Sequence, residues 1–428
     1  MKKFEKKKLL VLGSNTGSED IVKYAQKNGA TVIVADYLPV EESPAKKIAD
    51  ETLRISTAEV DALVDYVNQH HIDGVFAGIS EFNLLRAMEI SERCGLSFYC
   101  DRNQWDCIEQ KNLFREKCNA CQVPVPKTYF IGEKLENNIL DSVQYPVVIK
   151  PVDSSASMGV HICHNEAELR KYEKDAVSNS ESKTIIIEEF IEGDEFTAHY
   201  TIVDGKAHLS CVDNRYPVAL HDGKVTTIPV ARIFPSLFID EYIQQVDSKM
   251  KHLCENMKLK NAVIFIQGIY NKSTNRFAIF EAGLRSAAEA PYRFISKITG
   301  FSSMNFLVDT VLLEKPDDVQ EDPYLQGHCC GVVSFVAKGG KVGKITGLEE
   351  AVQQLDSVIC YENRYPVGSD TPEGDTLRQL MIRFVLICEN REMMKKDIEY
   401  LNSHIDVYDT EGMEMVVKFE PERLFGTK

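Results

Sequence analysis

The segment VVIKPVDSSASMGVHIC, Val147 to Cys163, is the most informative stretch of the chain. Its apolar, strand-like residues end at Lys150, and a loop of small residues follows from Asp153 to Gly159. Such a loop lets backbone N–H groups and hydroxyls fold over phosphate oxygens, while the lysine supplies positive charge. A polar hairpin after a strand-end lysine would have the same composition. This segment alone therefore leaves a phosphate site and a plain hairpin both open.

A second lysine and an acidic strand flank this segment. Lys111 precedes it in IEQKNLFREKC, and IIIEEFIEGDEFT follows it from Ile185 to Thr197. The latter segment has an apolar strand that carries acids, then a glycine turn, then Glu195. A nucleotide needs an apolar slot for adenine, backbone groups for the edge of the base and an acid for the ribose hydroxyls. This segment offers all three, which favours a nucleotide site.

Oxygen ligands come next along the chain. The strand-like segment IFIQGIY contains Gln267, and the following strand ends in FEAGLR with Glu281 and Arg285. Oxygen ligands on adjacent strands suit Mg²⁺, which proteins bind through one or two carboxylates together with substrate phosphates. An arginine four residues further on can stabilise charge that develops at an acyl or phosphoryl centre.

Taken in this order, the motifs resemble the ATP-grasp superfamily of ATP-dependent carboxylate–amine (or –thiol) ligases, over about residues 8–310. Members that are similar include biotin carboxylase, purine-pathway enzymes and carbamoyl-phosphate synthase. The resemblance implies an α/β (α+β) fold with a doubly wound pre-ATP-grasp domain at 1–100. An ATP-grasp domain at 101–320 would clamp ATP between two subdomains, and a β-rich cap would occupy 321–428.

The resemblance also implies a role for each matching residue, with ATP and Mg²⁺ as cofactors. Two lysines would hold the α- and β-phosphates, a loop would close over the γ-phosphate, and the acidic strand would receive adenine and ribose. The residues in these roles are Lys111 and Lys150 for the phosphates, Ser154, Ser155, Ser157 and Gly159 in the loop, Glu188 with the backbone of Glu189 and Ile191 for adenine, and Glu195 for ribose. Gln267 and Glu281 would take Mg²⁺, and Arg285 with Lys150 would be catalytic.

The chain departs from the family pattern at the metal strands. Gln267 stands where the family usually has Asp or Glu, and an amide is an uncharged, weaker ligand for Mg²⁺. Gly283 stands where the family usually has Asn, and Ser286 to Glu289 replace a Gly-Gly stretch. Three outcomes follow: metal binding is weaker, a neighbour such as Glu289 compensates, or catalysis has changed.

The function that this resemblance implies is activation of a carboxylate as its acyl-phosphate and transfer of the acyl group to an amine. The covalent work falls on ATP, so no protein nucleophile is needed. The partners are small-molecule carboxylate and amine substrates, and a homodimer is expected. One alternative is a phosphoribosylglycinamide synthetase-like or carbamoyl-phosphate synthase-like enzyme. A different class of alternative is an ATP-binding module that has lost turnover.

The first hundred residues predict a small domain with a parallel sheet. Apolar runs at 8–13 and 31–36 flank a helical segment in strand–helix–strand order. The turn GSNTGS, Gly13 to Ser18, lacks both the dinucleotide and the Walker pattern, so a plain glycine turn is expected. Ser80 is placed to cap a helix. Glu81 could instead contact a substrate or the ATP domain.

Other elements and side chains give further expectations. The pattern predicts a short strand at 97–100, one helix over 102–121 and a helix over 375–388. Candidates for a substrate carboxylate or the γ-phosphate, each weighed against a solvated position, are Arg215, Arg232 and Arg293. Asp36 is either a substrate contact or a turn acid.

Composition excludes some classes of function. The 49 Lys+Arg and 65 Asp+Glu give a formal net charge of −16, which argues against a general binder of nucleic acid or anionic membranes. The apolar run Leu9 to Leu12 is too short for a signal peptide, so a cytoplasmic protein is expected. The 12 cysteines are scattered and favour reduced thiols, including the CxxC-spaced pair Cys118 and Cys121.

Overall fold

A computed structural model describes residues 2–154, 158–218, 220, 228–313, 319, 322–374 and 376–426, with the side chains of 137 and 138 left out. Ser155 and Ser157, which were predicted to belong to the phosphate loop, lie outside the described residues. The fold is mixed α/β, as the sequence predicted. Its elements form several sheets, and two of these carry the candidate site.

The chain begins with a four-stranded parallel sheet. Its strands are β1 (Lys8–Leu12), β2 (Thr31–Ala35), β3 (Glu51–Leu53) and β4 (Gly74–Ala77), in the order β3-β2-β1-β4. The helices between and after them are α1 (Ser18–Lys27), α2 (Pro44–Ile48), α3 (Val60–His70) and α4 (Glu81–Cys94). This confirms the predicted strand–helix–strand arrangement, in which buried apolar strands alternate with amphipathic helices.

Two helices follow where the sequence predicted one. They are α5 (Arg102–Glu109) and α6 (Lys111–Ala120), and Gln110 between them has ψ 114, an extended conformation that ends the first helix. The prediction of a single helix over 102–121 was therefore wrong, because no Gly or Pro marks the break. The strand predicted at 97–100 is also wrong, since these residues are irregular.

A small antiparallel sheet comes next and carries the lysine-rich wall of the site. Its strands are β5 (Thr128–Gly132), β6 (Val147–Pro151), β7 (His161–Cys163) and β8 (Ile185–Glu189), in the order β5-β8-β6-β7. The helices in this part are α7 (Asn137–Leu140) and α8 (Glu166–Ser178). A compact apolar cluster that includes Val147, Leu169 and Ile187 holds α8 against the sheet.

A ten-stranded sheet forms the opposite wall and runs on into the last quarter of the chain. Its first strands are β9 (Asp194–Val203), β10 (Lys206–Val212), β11 (Asn214–Val218), β12 (Ile228–Phe234), β13 (Ala262–Asn271) and β14 (Arg276–Gly283). Helices in this region are α9 (Ile239–Tyr242), α10 (Ser248–Asn256), α11 (Tyr292–Thr299) and α12 (Ser303–Leu312). A π-helical turn, Ile243–Asp247, joins α9 to α10.

The last quarter adds β15 (Cys329–Ala337), β16 (Gly340–Thr346), α13 (Leu348–Gln354), β17 (Val358–Asn363), β18 (Asp370–Thr371), β19 (Leu380–Cys388), α14 (Arg391–His404), β20 (Asp406–Asp409) and β21 (Val416–Val417). The main path of the large sheet is β14-β13-β9-β11-β12-β15-β19-β17, so strands on both sides of residue 320 share one sheet. The helix predicted over 375–388 is wrong, because residues 380–388 form β19 in the interior of this sheet.

The largest apolar cluster joins the first sheet to the large one. It contains β1 and β4 residues together with α5, α6, α10, α12, β9 and β13. The wall formed by the large sheet therefore shares one core with the first sheet, whereas the small sheet has an apolar cluster of its own. All twelve cysteines are free thiols in the structure, and most of them are buried. Among the described residues, no helix combines the length and the apolar character needed to cross a membrane.

Candidate nucleotide and metal site

A buried cluster of three charges fixes the lysine at the end of β6. The Nζ atom of Lys150 lies 2.7 Å from Oε2 of Glu188 on the neighbouring strand β8. Arg115 on α6 forms an ion pair with the other oxygen of the same carboxylate, and all three side chains are buried. We call Arg115, Lys150 and Glu188 the buried ion triad. Because Glu188 holds two cations, it positions Lys150 rather than pointing at solvent.

The electrostatics of the buried ion triad favour its charged form. Burial opposes ionisation of Glu188, but the charges of Lys150 and then Arg115 hold the pKa of that carboxyl below its usual value. Burial lowers the pKa of the Lys150 ammonium, and the charge of Glu188 opposes that shift. A buried carboxylate with two cationic partners leaves net positive charge at this wall, which suits phosphate oxygens.

Lys111 and the small-residue loop lie beside the buried ion triad. Lys111 is the first residue of α6, and its Nζ donates to the carbonyl of Ser154 at 2.7 Å. The hydroxyl of Ser154 is buried and has no hydrogen-bond partner among the described residues. Gly159 has a φ of +69, and a Cβ there would lie 2.9 Å from Cβ of Asn179. The structure therefore brings Lys111, Lys150 and Ser154 together at the loop.

The acidic segment from Glu189 to Glu195 runs from the end of β8 in the small sheet to the start of β9 in the large sheet. The carboxylate of Glu189 forms ion pairs with Arg276 at 2.8 and 2.9 Å, so its side chain is occupied at the surface. Ile191 is buried, and Glu195 forms an ion pair with Arg215. A Cβ at Gly193 would lie 2.4 Å from the carbonyl oxygen of Tyr270, so the turn requires glycine.

Gln267 and Glu281 lie opposite each other on β13 and β14. The register shifts directly after this pair, so Phe280 is an extra residue in a β-bulge, a feature that re-aims side chains near functional sites. Neither Gln267 nor Glu281 makes a side-chain hydrogen bond or ion pair within the described part of the chain. One carboxylate and one amide oxygen, both unengaged, fit Mg²⁺ that is also held by phosphate oxygens.

No denser set of metal ligands occurs nearby. The described ranges contain no group of three or more His, Cys, Asp or Glu residues arranged to hold a metal ion. At Gly283, a Cβ would lie 2.5 Å from the ring of Phe265, its cross-strand partner. The ring thus occupies the space that an Asn side chain would need. An aromatic ring therefore packs where the resemblance implies an Asn ligand.

The two walls approach each other at Lys150. Its ammonium lies 5.7 Å from the centroid of the Phe280 ring, and Phe280 is adjacent in sequence to Glu281. Arg115 also donates from Nη1 to the carbonyl of Ile279 at 2.7 Å, which ties α6 to β14. These contacts bring the lysine wall next to β14, the strand that carries Glu281. We call the region between the lysine wall and the Gln267–Glu281 pair the cleft.

Arg285 lies at the end of this cleft and contacts the first sheet. Its Nη2 lies 2.5 Å from Oε1 of Glu81, the first residue of α4, and its guanidinium lies 4.9 Å from the centroid of the Phe265 ring. Ser80 caps α4 through the backbone N–H of Asn83, so both roles weighed for this turn occur. Glu81 contacts Arg285, which lies in the part of the chain predicted to bind ATP, as one interpretation expected.

The remaining candidates are held by ion pairs instead of lying in solvent. Arg232 contacts Asp213 and Glu289, each at 2.8 Å, and Arg293 contacts Asp20 at 2.9 Å. Burial raises the pKa of Asp213 to about 6, against the charge of Arg232. Asp36 accepts hydrogen bonds from the backbone of its own turn and of the Gly13–Ser18 turn, so it is a buried turn acid.

Sequence reasoning missed several residues of the cleft. Arg115 lies four residues after Lys111 on α6, a spacing that places both on one helix face and could have revealed it. Glu109 is half-buried near Glu81, and desolvation followed by the charge of Glu81 raises the pKa of Glu109 to about 8. His199 is fully buried with an unpartnered Nε2, and burial lowers its pKa to about 3. No sequence signal distinguishes these last two.

Part of the chain matches a known protein family. Residues 143–290 match the model of the ATP-grasp domain family. Formate-dependent phosphoribosylglycinamide formyltransferase from Prochlorococcus marinus is 26% identical over 200 residues, which are 45% of this chain and 50% of that protein. The enzyme of the same name from Sulfolobus acidocaldarius is 26% identical over 225 residues, 52% of each chain. The chain thus spans about half the length of the curated relatives it matches.

Solved structures match over nearly the whole chain. Phosphoribosylglycinamide synthetase from Anaerococcus prevotii aligns with a TM-score of 0.74 and 16% identity, covering 95% of this chain and all of that one. L-Amino acid ligase from Bacillus licheniformis aligns with a TM-score of 0.76 and 18% identity, covering 95% and 99%. At these identities the likeness establishes the fold.

Proposed function

We propose that the chain, whose residues 143–290 match the ATP-grasp domain family, is an ATP-dependent ligase. In this proposal it activates a carboxylate as the acyl-phosphate and joins the acyl group to an amine. The division into 1–100, 101–320 and 321–428, with ATP clamped in the middle part, belongs to the same proposal. The observation that supports it is the contact between Lys150 of the buried ion triad and the ring of Phe280, the residue next to Glu281.

The lysine wall would bind the phosphates. Lys150 is held by Glu188 at 2.7 Å and cannot collapse onto another acid, so its position is fixed before a ligand arrives. Lys111 and the unpartnered hydroxyl of Ser154 add donors next to it. Preorganised donors stabilise developing negative charge because they need not reorient during the reaction.

The opposite wall would bind Mg²⁺ through Glu281 and the amide oxygen of Gln267. When bound, Mg²⁺ and ATP would supply charge neutralisation and the transferable phosphoryl group. Arg285 lies two residues beyond Gly283, and Glu81 holds its guanidinium in place. As a positioned cation next to the metal strand, it would bind the substrate carboxylate that becomes activated. Ile191 and the backbone of Glu189 would line the adenine slot, and Glu195 would reach ribose once it leaves Arg215.

ADP formation tests this proposal. Purified full-length chain with MgATP is assayed over a matrix of carboxylates and amines, and one pair should release ADP at a rate well above the rate without substrates. Lys150→Met should abolish ADP release and weaken ATP binding at least tenfold, since a fixed cation is lost. Lys171→Met, which removes an exposed lysine that lies over the Tyr172 ring, is the matched control. If Lys150→Met binds ATP as wild type does, the site is assigned wrongly.

A second candidate function is an ATP-binding module without turnover, and one observation favours it. The Phe265 ring fills the space beside Gly283, where the family usually has an Asn ligand, and Gln267 offers an amide where the family usually has a carboxylate. In that case ATP would bind with dependence on Lys150, but no pair in the substrate matrix would provoke ADP release. Measuring ATP binding and ADP release on the same preparations separates the two candidates.

A further inference from the structure

An arginine that the cleft does not use is buried in the interior of the large sheet. Arg383 lies on β19, opposite Ser334 on β15 and Glu362 on β17. It is 9% exposed. Within the described residues, its side chain makes one hydrogen bond, from Nη2 to the carbonyl of Ala288 at 3.0 Å.

Among the described side chains, the charge of Arg383 has no carboxylate in direct contact, and the charges of Glu289 and Glu362, which are paired with other arginines, act on it only from a distance. A guanidinium has five N–H donors, and the Nε donor of Arg383 is buried without a partner. No carboxylate lies within 4 Å of it in the part of the chain that the structure describes. By contrast, Arg232 on the same sheet contacts two carboxylates. A buried charge is costly unless it is paired, so the open donors of Arg383 indicate a missing anionic partner.

These donors line a small cavity. Its volume is about 190 Å³, and Arg383 borders it together with Ser334, Arg364 and the apolar side chains of Ile79 and Leu380. The Arg232–Glu289 ion pair also borders the cavity, and the carboxylate of Glu289 is already engaged by Arg232 at 2.8 Å. At roughly 30 Å³ for each water, this is room for about six water molecules or one small ligand group. Arg364 is already paired with Glu362 at 3.1 Å. Of Arg364 and Arg383, it is therefore Arg383 that has donors open to a ligand.

The cavity lies near the proposed acyl site but is separate from Arg285. Ala288, whose carbonyl Arg383 holds, is three residues beyond Arg285 in the loop between β14 and α11. Thr16 and Ile79, from turns at the edge of the first sheet, close the cavity on another side. A ligand that reaches from Arg285 along this loop would bring a second group to Arg383.

We propose that Arg383 binds an oxyanion, a carboxylate or a phosphate group, carried by one of the two substrates in addition to the carboxylate that is activated. This inference rests on the proposed function for the existence of those substrates. The planar fork of a guanidinium pairs with either oxyanion through two parallel hydrogen bonds. Ser334 adds a hydroxyl opposite it, while Ile79 and Leu380 limit the carbon skeleton to a short one. The substrate class is therefore a small molecule with a second anionic group.

Calorimetric titration of the full chain with inorganic phosphate and, separately, with malonate tests the proposal. Each titration is run with and without Mg²⁺ and a non-hydrolysable ATP analogue, which occupies the other phosphate site. Wild type should bind at least one of the two anions saturably, and Arg383→Met should weaken that binding at least tenfold. Preference for phosphate indicates a phosphorylated substrate, and preference for malonate indicates a second carboxylate. Arg170→Met, which removes an exposed arginine paired with Glu166 on α8, should bind as wild type does.

Two results would overturn the proposal: neither anion binds wild type saturably, or Arg383→Met binds both as tightly as wild type. Thermal denaturation gives a second readout, because an arginine that only held the Ala288 carbonyl would lower the unfolding temperature when removed. Arg383→Met should instead unfold no lower than wild type without anion and lose the anion-dependent rise. If that variant does not fold, Arg383→Lys, which keeps the charge but not the fork, should bind the anion at least threefold more weakly, and unchanged affinity would overturn the proposal.

The same titrations keep the two proposals apart. Binding of the ATP analogue should be unchanged in Arg383→Met, because Arg383 lies outside the buried ion triad. Failure of wild type to bind the analogue would contradict the proposed ligase. The titrations without analogue would then still decide whether Arg383 holds an oxyanion.

Discussion

The two walls of the cleft satisfy their charged groups in opposite ways. On the lysine wall, Glu188 contacts both Lys150 and Arg115, and the whole cluster is buried. On the metal wall, Glu281 and Gln267 make no side-chain hydrogen bond within the described ranges. The carboxylate of the first wall is fully paired without a ligand, whereas the carboxylate and amide of the second wall are open to one.

This difference predicts which wall contributes to the stability of the empty protein and which contributes mainly to ligand affinity. Breaking a buried ion pair leaves uncompensated charge in the interior, so changes on the lysine wall should act on folding and binding together. Changes at half-exposed, unpartnered groups cost little in the empty protein. Variants on the metal wall should therefore act mainly on the affinity for Mg²⁺ and ATP.

The largest expected effect comes from removing the shared carboxylate of the buried ion triad. Glu188→Gln leaves the Lys150 and Arg115 charges buried without a counterion and should lower the free energy of unfolding by about 3–5 kcal/mol. Urea unfolding followed by circular dichroism measures this. The matched control is Glu189→Gln, next in sequence, whose ion pair with Arg276 is partly exposed and is worth at most about 1 kcal/mol. Equal losses in the two variants would contradict the buried ion triad.

A smaller loss is expected where the Phe265 ring replaces a metal ligand. Gly283→Asn places a side chain about 2.5 Å from that ring and should destabilise the fold by about 3 kcal/mol, the upper range for overpacking. It should not tighten Mg²⁺ binding. The double variant Gly283→Asn with Phe265→Ala makes room for the amide and should bind Mg²⁺ more tightly than Phe265→Ala alone. A stable Gly283→Asn single variant would contradict the steric explanation.

His199 should make stability depend on pH near the middle of the large sheet. Burial lowers its pKa from 6.5 to about 3, so the unfolded chain binds a proton that the folded chain does not. Stability from this group is present above pH 6.5 and is lost as pH falls toward 3. Between pH 7 and 5 the loss should be about 2 kcal/mol, and His199→Gln should remove it. Urea unfolding of wild type and His199→Gln at pH 7 and pH 5 measures this loss of stability in each protein. An equal loss in the two proteins would contradict the assignment to a buried, neutral His199.

The smallest expected effect sharpens the metal wall. Gln267→Glu adds a second carboxylate opposite Glu281 and should tighten Mg²⁺ binding by about tenfold in the presence of ATP, or about 1.4 kcal/mol. Without Mg²⁺, the two carboxylates repel each other, so the variant should be slightly less stable than wild type. Magnesium titration followed by the change in ATP affinity checks both statements. Unchanged Mg²⁺ dependence would remove Gln267 from the metal site.

Sequence patterns predicted the parallel sheet and both walls because their signals are local. Lys150 ends an apolar run, and the glycine turn before Glu195 has a steric cause, since Gly193 meets the backbone of Tyr270. The predicted order of the motifs placed Gln267 and Glu281 on neighbouring strands, as the structure has them. The ligand roles assigned to these residues stay predictions.

The errors and omissions come from tertiary context. Residues 380–388 are an apolar run whose periodicity does not separate a buried strand from a buried helix, and sheet pairing on both sides of β19 decides for the strand. The break at Gln110 has no Gly or Pro signal. Arg383, the one charge in the β19 run, was overlooked for the same reason. Its open donors are visible only after the surrounding strands are in place.

The most direct test of a Mg²⁺-dependent ATP cleft is calorimetric measurement of the ATP dissociation constant with and without Mg²⁺, in wild type and in Glu281→Gln. The account predicts that Mg²⁺ tightens ATP binding to wild type at least tenfold. It also predicts that Glu281→Gln loses most of this gain while its unfolding free energy stays within about 1 kcal/mol of wild type, because the Glu281 side chain has no partner to lose. ATP binding that is equally tight with and without Mg²⁺ in wild type would contradict the account.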